Sequence, residues 1–173
     1  MQSPGHIGMA LLFAAPVWFA LDDLKANLAF TALAASTGML PDGDIVLMRY
    51  FFIEHHGLTH SLVFIVPTAL VLGAIVAGIY LAVRDDHAYQ ASGRQVYGFV
   101  ALGLFTGMLA HVFADLLTTP DIAPPLEPMY PLLRTPMLLD VAFVKSNLWN
   151  LGTLAVGITV QAALVVRSYY GDI

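Results

Sequence analysis

The side chains of this sequence able to do chemistry fall into three short groups and one isolated histidine. His111 and Asp115 stand four apart in an apolar run, so a helix presents both from one face. Asp42 and Asp44 flank Gly43 behind Pro41, which sets two carboxylates on one tight turn. His56 and His60 stand four apart in His56-Gly57-Leu58-Thr59-His60-Ser61, just ahead of another apolar run, and His6 lies far upstream. Imidazole combined with carboxylate is the donor set of zinc, manganese or iron, with zinc first in expectation. The chain has no cysteine, so thiolate ligands and a disulfide framework are both excluded. A metal with an open position lowers the pKa of its bound water toward 7 and readies it to attack a carbonyl or phosphoryl centre. Asp42 and Asp44 are suited to bridge or flank a second ion, so one or two ions are expected. His56 or His60, if not a ligand, is the expected general acid. Asp115, Ser61 and Thr118 are candidates to hold the second nitrogen of a ligand histidine.

Each group also has a plain structural use. Pro, Asp and Gly favour turns whatever their function. Thr59 or Ser61 can cap a helix. A His–Asp pair can simply stitch two helices together. The case for chemistry rests on whether the chain brings the groups to one place.

That depends on the elements around them. The sequence is 58% hydrophobic and 11% charged, with a mean hydropathy of +0.77. Soluble domains carry about 25% charged residues, and one core of this size cannot hide so much apolar surface. The expectation is an all-α integral membrane bundle of about five hydrophobic helices, forming one domain over residues 1–173. Runs 62–83, 96–117 and 148–166 are long enough to cross a bilayer, which takes roughly 20 apolar residues. Runs 7–21 and 28–40 are shorter and read as an antiparallel pair split by Asp22-Asp23-Leu24-Lys25. The first run lacks the preceding Lys or Arg of a secretory leader, although Ala32-Leu33-Ala34 has cleavage-like spacing. Loop 118–146 holds six of the ten prolines, which forbids a continuous helix there. Its apolar part, 137–144, is expected to be an interfacial helix, and the loop itself a lid, a headgroup contact or a plain connector. The charged turn 84–95, with His87, reads as solvated.

Alternation of the spans carries the main inference. His6 begins the first helix, the short pair returns to the same side, and run 62–83 leaves that side for run 96–117 to come back. His6, Asp42, Asp44, His55, His56, His60, His111 and Asp115 therefore share one membrane face, with five of the six histidines. Gly103 and Gly107 continue the His111/Asp115 stripe and allow close approach of a neighbouring helix, so that stripe faces protein rather than lipid. Ionisable groups so placed are expensive and point to function.

The ordered set Leu40-Pro41-Asp42-x-Asp44, His56-Gly57-Leu58-Thr59-His60-Ser61 and His111-x-x-x-Asp115-Leu116-Leu117-Thr118-Thr119 resembles the YdjM-type family of inner-membrane proteins, over about residues 6–131. Those proteins are described as metal-dependent hydrolases, some under LexA control. The resemblance implies Asp42, Asp44, His60, His111 and Asp115 as metal-binding residues, with His6 and His56 beside them. The enzyme reading of the site, apart from the resemblance, expects catalytic work from Asp44, His56 and His60. The chain departs from the family pattern at His56, where Arg is frequent, and at Asp121, where Gly is common.

A lipid, a lipid-linked phosphate or another amphiphile is the expected substrate of a site at the membrane–water boundary. The bilayer is the expected partner, an oligomer is compatible, and nucleic acid is not expected for a net charge of −5 without a basic stripe. A metal-binding structural or regulatory membrane protein would use the same residues with every coordination position filled. A small ion or proton transporter would spread ionisable residues through the bilayer depth, whereas these sit at one end. The expected location is a prokaryotic cytoplasmic membrane. Lys25, Arg84, Arg94 and Arg167 on one side against Arg49, Arg134 and Lys145 on the other turn the His/Asp side outward by the positive-inside rule.

Overall fold

The computed structural model describes residues 1–84 and 91–170; the expected solvated turn around His87 lies partly outside them. The helices are α1 (Ser3–Ala14), α2 (Leu24–Thr37), the single turn α3 (Asp44–Leu47), α4 (Leu62–Val83), α5 (Gly93–Leu116) and α6 (Asn147–Tyr170). Of these, α4, α5 and α6 are long and apolar enough to span a membrane. The 12 residues of α1 and 14 of α2 rise only about 18 and 21 Å, short of a roughly 30 Å hydrocarbon core. They form the expected short pair, with α1 prolonged by a 3₁₀ turn, Ala15–Phe19.

Side-chain caps set several boundaries. Asp23 accepts from the Ala26 N–H at 2.6 Å to open α2. Ser61 accepts from the Phe64 N–H at 3.2 Å to open α4. Ser92 and Gln95 form a reciprocal capping box, which starts α5 at Gly93, three residues before its apolar run.

The bundle is organised around α5, which packs against α1, α2 and α4, while α6 lies along α1. Small residues make these approaches possible. A Cβ at Gly107 would run into the Ala34 carbonyl and the Thr37 hydroxyl of α2. A Cβ at Gly157 would stand 2.7 Å from the Gly8 carbonyl oxygen, so α1 and α6 touch backbone to backbone. The expected glycine seam on α5 therefore takes α2 as its neighbour. Thr37 adds a hydroxyl bond to the Leu104 carbonyl at 2.8 Å.

At the end of the bundle away from His111, Gln161 ties three elements together. It accepts from Trp18 Nε1 at 2.9 Å and Thr31 Oγ1 at 3.3 Å, and donates to the Leu11 carbonyl at 2.7 Å.

One expectation fails. Segment 137–144 is not a helix, because its backbone is paired elsewhere. Met137 N–H donates to the Leu126 carbonyl at 2.7 Å, Leu139 N–H to Leu116 at 2.8 Å and Val141 N–H to Leu117 at 2.9 Å. The segment is a strap laid across the end of α5. A periodicity of apolar residues cannot distinguish such a strap from a helix when it is this short.

Candidate metal centre

The His and Asp groups meet at one end of the bundle. Asp42 stands on the 3₁₀ turn Pro41–Gly43 and Asp44 opens α3. His60 closes the turn Leu58–His60 just before α4, and His111 and Asp115 come from the last turns of α5. His6, Asp44, His60 and His111 are completely buried, and Asp115 nearly so. Ligand atoms of Asp42, His60, His111 and Asp115 lie within 4.8 Å of one another.

The hydrogen bonds on the far side of each ring decide what faces inward. His111 Nδ1 lies 2.7 Å from the Gly38 carbonyl oxygen. A carbonyl only accepts, so Nδ1 carries the proton and Nε2 presents a lone pair. His56 repeats the arrangement, with Nδ1 2.7 Å from the Pro124 carbonyl. His60 directs Nδ1 at Asp44 Oδ2, 3.2 Å away, and that carboxylate also accepts from Thr59 Oγ1 at 2.9 Å. Its Nε2 is left facing His111 Nε2 at 3.1 Å.

Carboxylate oxygens complete the set. Asp115 Oδ2 lies 3.0 Å from His111 Nε2 and 3.7 Å from both His60 Nε2 and His56 Nε2. Among the described residues it is a buried oxygen without a hydrogen-bond partner. Asp42 Oδ1 stands 3.5 Å from His60 Nε2 and 3.4 Å from His111 Nε2. Imidazole nitrogens and carboxylate oxygens thus converge on one point, an arrangement that calls for positive charge, supplied by a ring proton or by a bound cation. Nδ1–H bonds to carbonyl and carboxylate are also what ligand histidines make. The donor set fits a divalent transition metal.

The electrostatics agree for groups outside the spans. Burial would push the Asp42 carboxyl up, but the His111 and His60 imidazoles hold it well below the carboxylate range. Asp44 behaves alike, with His55 and His60 overcoming burial. Burial pushes His56 down to about 4 against the pull of Asp115, which keeps its imidazole neutral. At His60 burial is outweighed by Asp42 and Asp44, so its pKa rises and the pocket favours positive charge there.

A family model for the YdjM inner membrane protein matches residues 1–171. The chain belongs to that family. No curated protein and no solved structure matches it. For this YdjM-family chain, then, the family sets the location, an inner membrane, and the geometry sets the site, a buried His/Asp cluster able to hold a metal ion.

Asp42, Asp44, His56, His60, His111 and Asp115 all belong to groups of convergent ligand atoms, whereas His6 borders them without being a member. Ser61 and Thr118, expected to hold the second nitrogen of a ligand histidine, instead donate to the Leu58 and Asp115 carbonyls, because backbone acceptors one turn away are nearer. His6 stacks on His111 with ring centroids 3.8 Å apart. Its Nε2 is 2.7 Å from the Met1 carbonyl and 3.4 Å from Asp115 Oδ1, and the Met1 amino group lies against that same oxygen. Sequence reasoning gave no role to His55, whose Nδ1 is 3.0 Å from Asp44 Oδ1, nor to Thr59 as an Asp44 partner. A third histidine beside His56 was the only available signal. His55, Asp42 and Asp44 form a second group with convergent ligand atoms. His56 also adopts φ 64°, a left-handed conformation costly for a residue with a Cβ. Strain of that kind persists where the surroundings over-determine it, as at functional sites.

Proposed function

We propose that this chain is a membrane-embedded metal-dependent hydrolase acting on an ester or phosphoester amphiphile. The observation that carries the reading is the convergence of His60 Nε2, His111 Nε2, Asp42 Oδ1 and the unpartnered Asp115 Oδ2 on one buried point. Those four residues would hold the ion, zinc first, with manganese and iron as alternatives. Bound there, such an ion supplies Lewis acidity and activates water for attack on a carbonyl or phosphoryl centre.

The chain's own residues do the rest. Gly38 and Asp44 fix the rings of His111 and His60 through their Nδ1 atoms. Asp42, Asp44 and His55 offer the place for a second ion. Without one, His55 is the candidate to move a proton, since Asp44 orients it and a quarter of its side chain reaches solvent. His56, neutral and aimed at Asp115, completes the acceptor face. The partial exposure of Asp42 and His55 leaves the cluster an approach, which favours turnover over a closed structural site. An outward-facing site on the cytoplasmic membrane follows the charge distribution of the loops.

The test is hydrolysis of detergent-dispersed p-nitrophenyl esters and bis-p-nitrophenyl phosphate by protein purified without a His tag, beside Asp44→Asn and His60→Ala. Both variants should stay folded and lose at least about 100-fold in rate, as expected when activation of water fails. Equal turnover by all three proteins would remove this cluster as the catalyst.

A further inference from the structure

Two apolar segments outside the helical spans border the His/Asp cluster without being covered by protein. In the first, Asp44 turns inward and is fully buried, while the next four residues, Ile45 to Met48, are all exposed. Phe51 follows at 61% exposure and Phe52 is bare. In the second, every residue of 131–140 is exposed, Leu132 at 69% and Leu139 at 57% among them.

Both segments are fastened to the site. Asp44 is held by His55 and Thr59. Leu139 and Val141 bond to the Leu116 and Leu117 carbonyls, directly past Asp115, and Leu62 N–H at the start of α4 bonds to Pro128 at 2.8 Å. The cluster's two most exposed members, Asp42 and His55, adjoin the first segment in sequence or in contact.

We propose that these segments are immersed in the leaflet bordering the site, so that the cluster opens sideways into lipid at headgroup depth. The occupant follows from continuity with the spans. The lipid-facing surface of α6 begins with Leu148, 80% exposed, only a few residues after Phe143, 63% exposed. The 22 residues of α4 rise about 33 Å, close to the roughly 30 Å core, so its Leu62 end and the segments tied to it lie at the acyl boundary. Extended backbone is excluded from greater depth, because its polar groups lack partners there. The two stretches carry Arg49 and Arg134, and Lys145 follows the second, cations of the kind that suit lipid phosphates at that depth. Apolar patches of this extent are not left to water on soluble proteins. Lateral delivery of an amphiphile rests on the hydrolase reading; the immersion does not.

The absence of native cysteine makes the test direct. Phe52→Cys, Leu133→Cys and Leu139→Cys are labelled with a small environment-sensitive fluorophore in vesicles of phosphatidylcholine and phosphatidylglycerol. Phe51→Cys and Leu132→Cys serve where a first variant does not fold. Val71→Cys, mid-span, and Asp121→Cys, in the loop, are references. Labels in the two segments should be quenched several-fold more by lipids nitroxide-labelled near the headgroup than by lipids labelled deep in the chain. They should also be shielded several-fold from iodide relative to position 121. Iodide access equal to position 121 would overturn the proposal. Shielding from iodide without nitroxide quenching would overturn it too, because a second copy of the chain would then be the cover. The readout is independent of turnover, so an inactive protein with immersed segments would sink the hydrolase reading alone.

Discussion

His60 Nε2 and His111 Nε2 face each other across 3.1 Å, one from the turn before α4 and one from the end of α5. The outer nitrogen of His111 is committed to the Gly38 carbonyl and that of His60 to the Asp44 carboxylate. With the protons on those outer nitrogens, two lone pairs are opposed, beside two carboxylates. Only added positive charge reconciles them, and a divalent ion supplies it to all four groups at once.

Metal content follows from that relationship. Protein purified in mild detergent without a His tag should carry one or two equivalents of zinc, manganese or iron. His111→Ala and Asp115→Ala should weaken binding by more than about 100-fold, beyond what loss of a merely supporting group costs. Elemental analysis beside circular dichroism reads both metal and fold. No metal in wild type after each ion is supplied would reduce the cluster to a polar network between helices.

The left-handed backbone at His56 separates stability from chemistry. His56→Ala and His56→Gly both lose the Pro124 contact and the nitrogen facing Asp115. Glycine alone relieves φ 64°. The Gly variant should therefore be more stable than the Ala variant by about 1 kcal/mol, with equal defects in metal affinity. Denaturation midpoints in one detergent measure the difference, and equal midpoints would show that the conformation carries no strain.

Gly107 holds α2 against α5. Gly107→Leu has no room beside Ala34 and Thr37 and should destabilise the bundle by about 1–3 kcal/mol or more. Gly152, with open space around it, should accept alanine with little change. Thermal unfolding followed by size-exclusion recovery distinguishes them, and a tolerated Gly107→Leu would place α2 elsewhere.

The chain ends should lie on opposite membrane faces. Met1 sits against Asp115 at the site end, whereas Arg167, in the last turn of α6, lies over the Phe19 ring, 4.6 Å away, at the other. Reporters fused to each terminus should give opposite signals, with the N-terminal one outside by the loop charges. Matching signals would contradict the five-helix path, and an N-terminus inside would reverse only the orientation.

The sequence alone determined the membrane class, the three long spans and the short first pair, because hydropathy summed over a window is a local property. It also determined that the His/Asp groups share a face, since parity of crossings needs only the number of spans, and that His111 and Asp115 project together, since a four-residue spacing is set by the helix itself. Tertiary structure decided the rest. The carbonyl that orients His111 is 73 residues away, and the one that orients His56 is 68 residues away. Neither partner has a side-chain signature, because every residue has a carbonyl and packing alone selects one. The pairing of His55 with Asp44, the seating of Gly107 on α2 and the strap at 137–144 were equally beyond local periodicity. Each is a contact between segments whose patterns do not refer to each other, settled by where α5 leaves room.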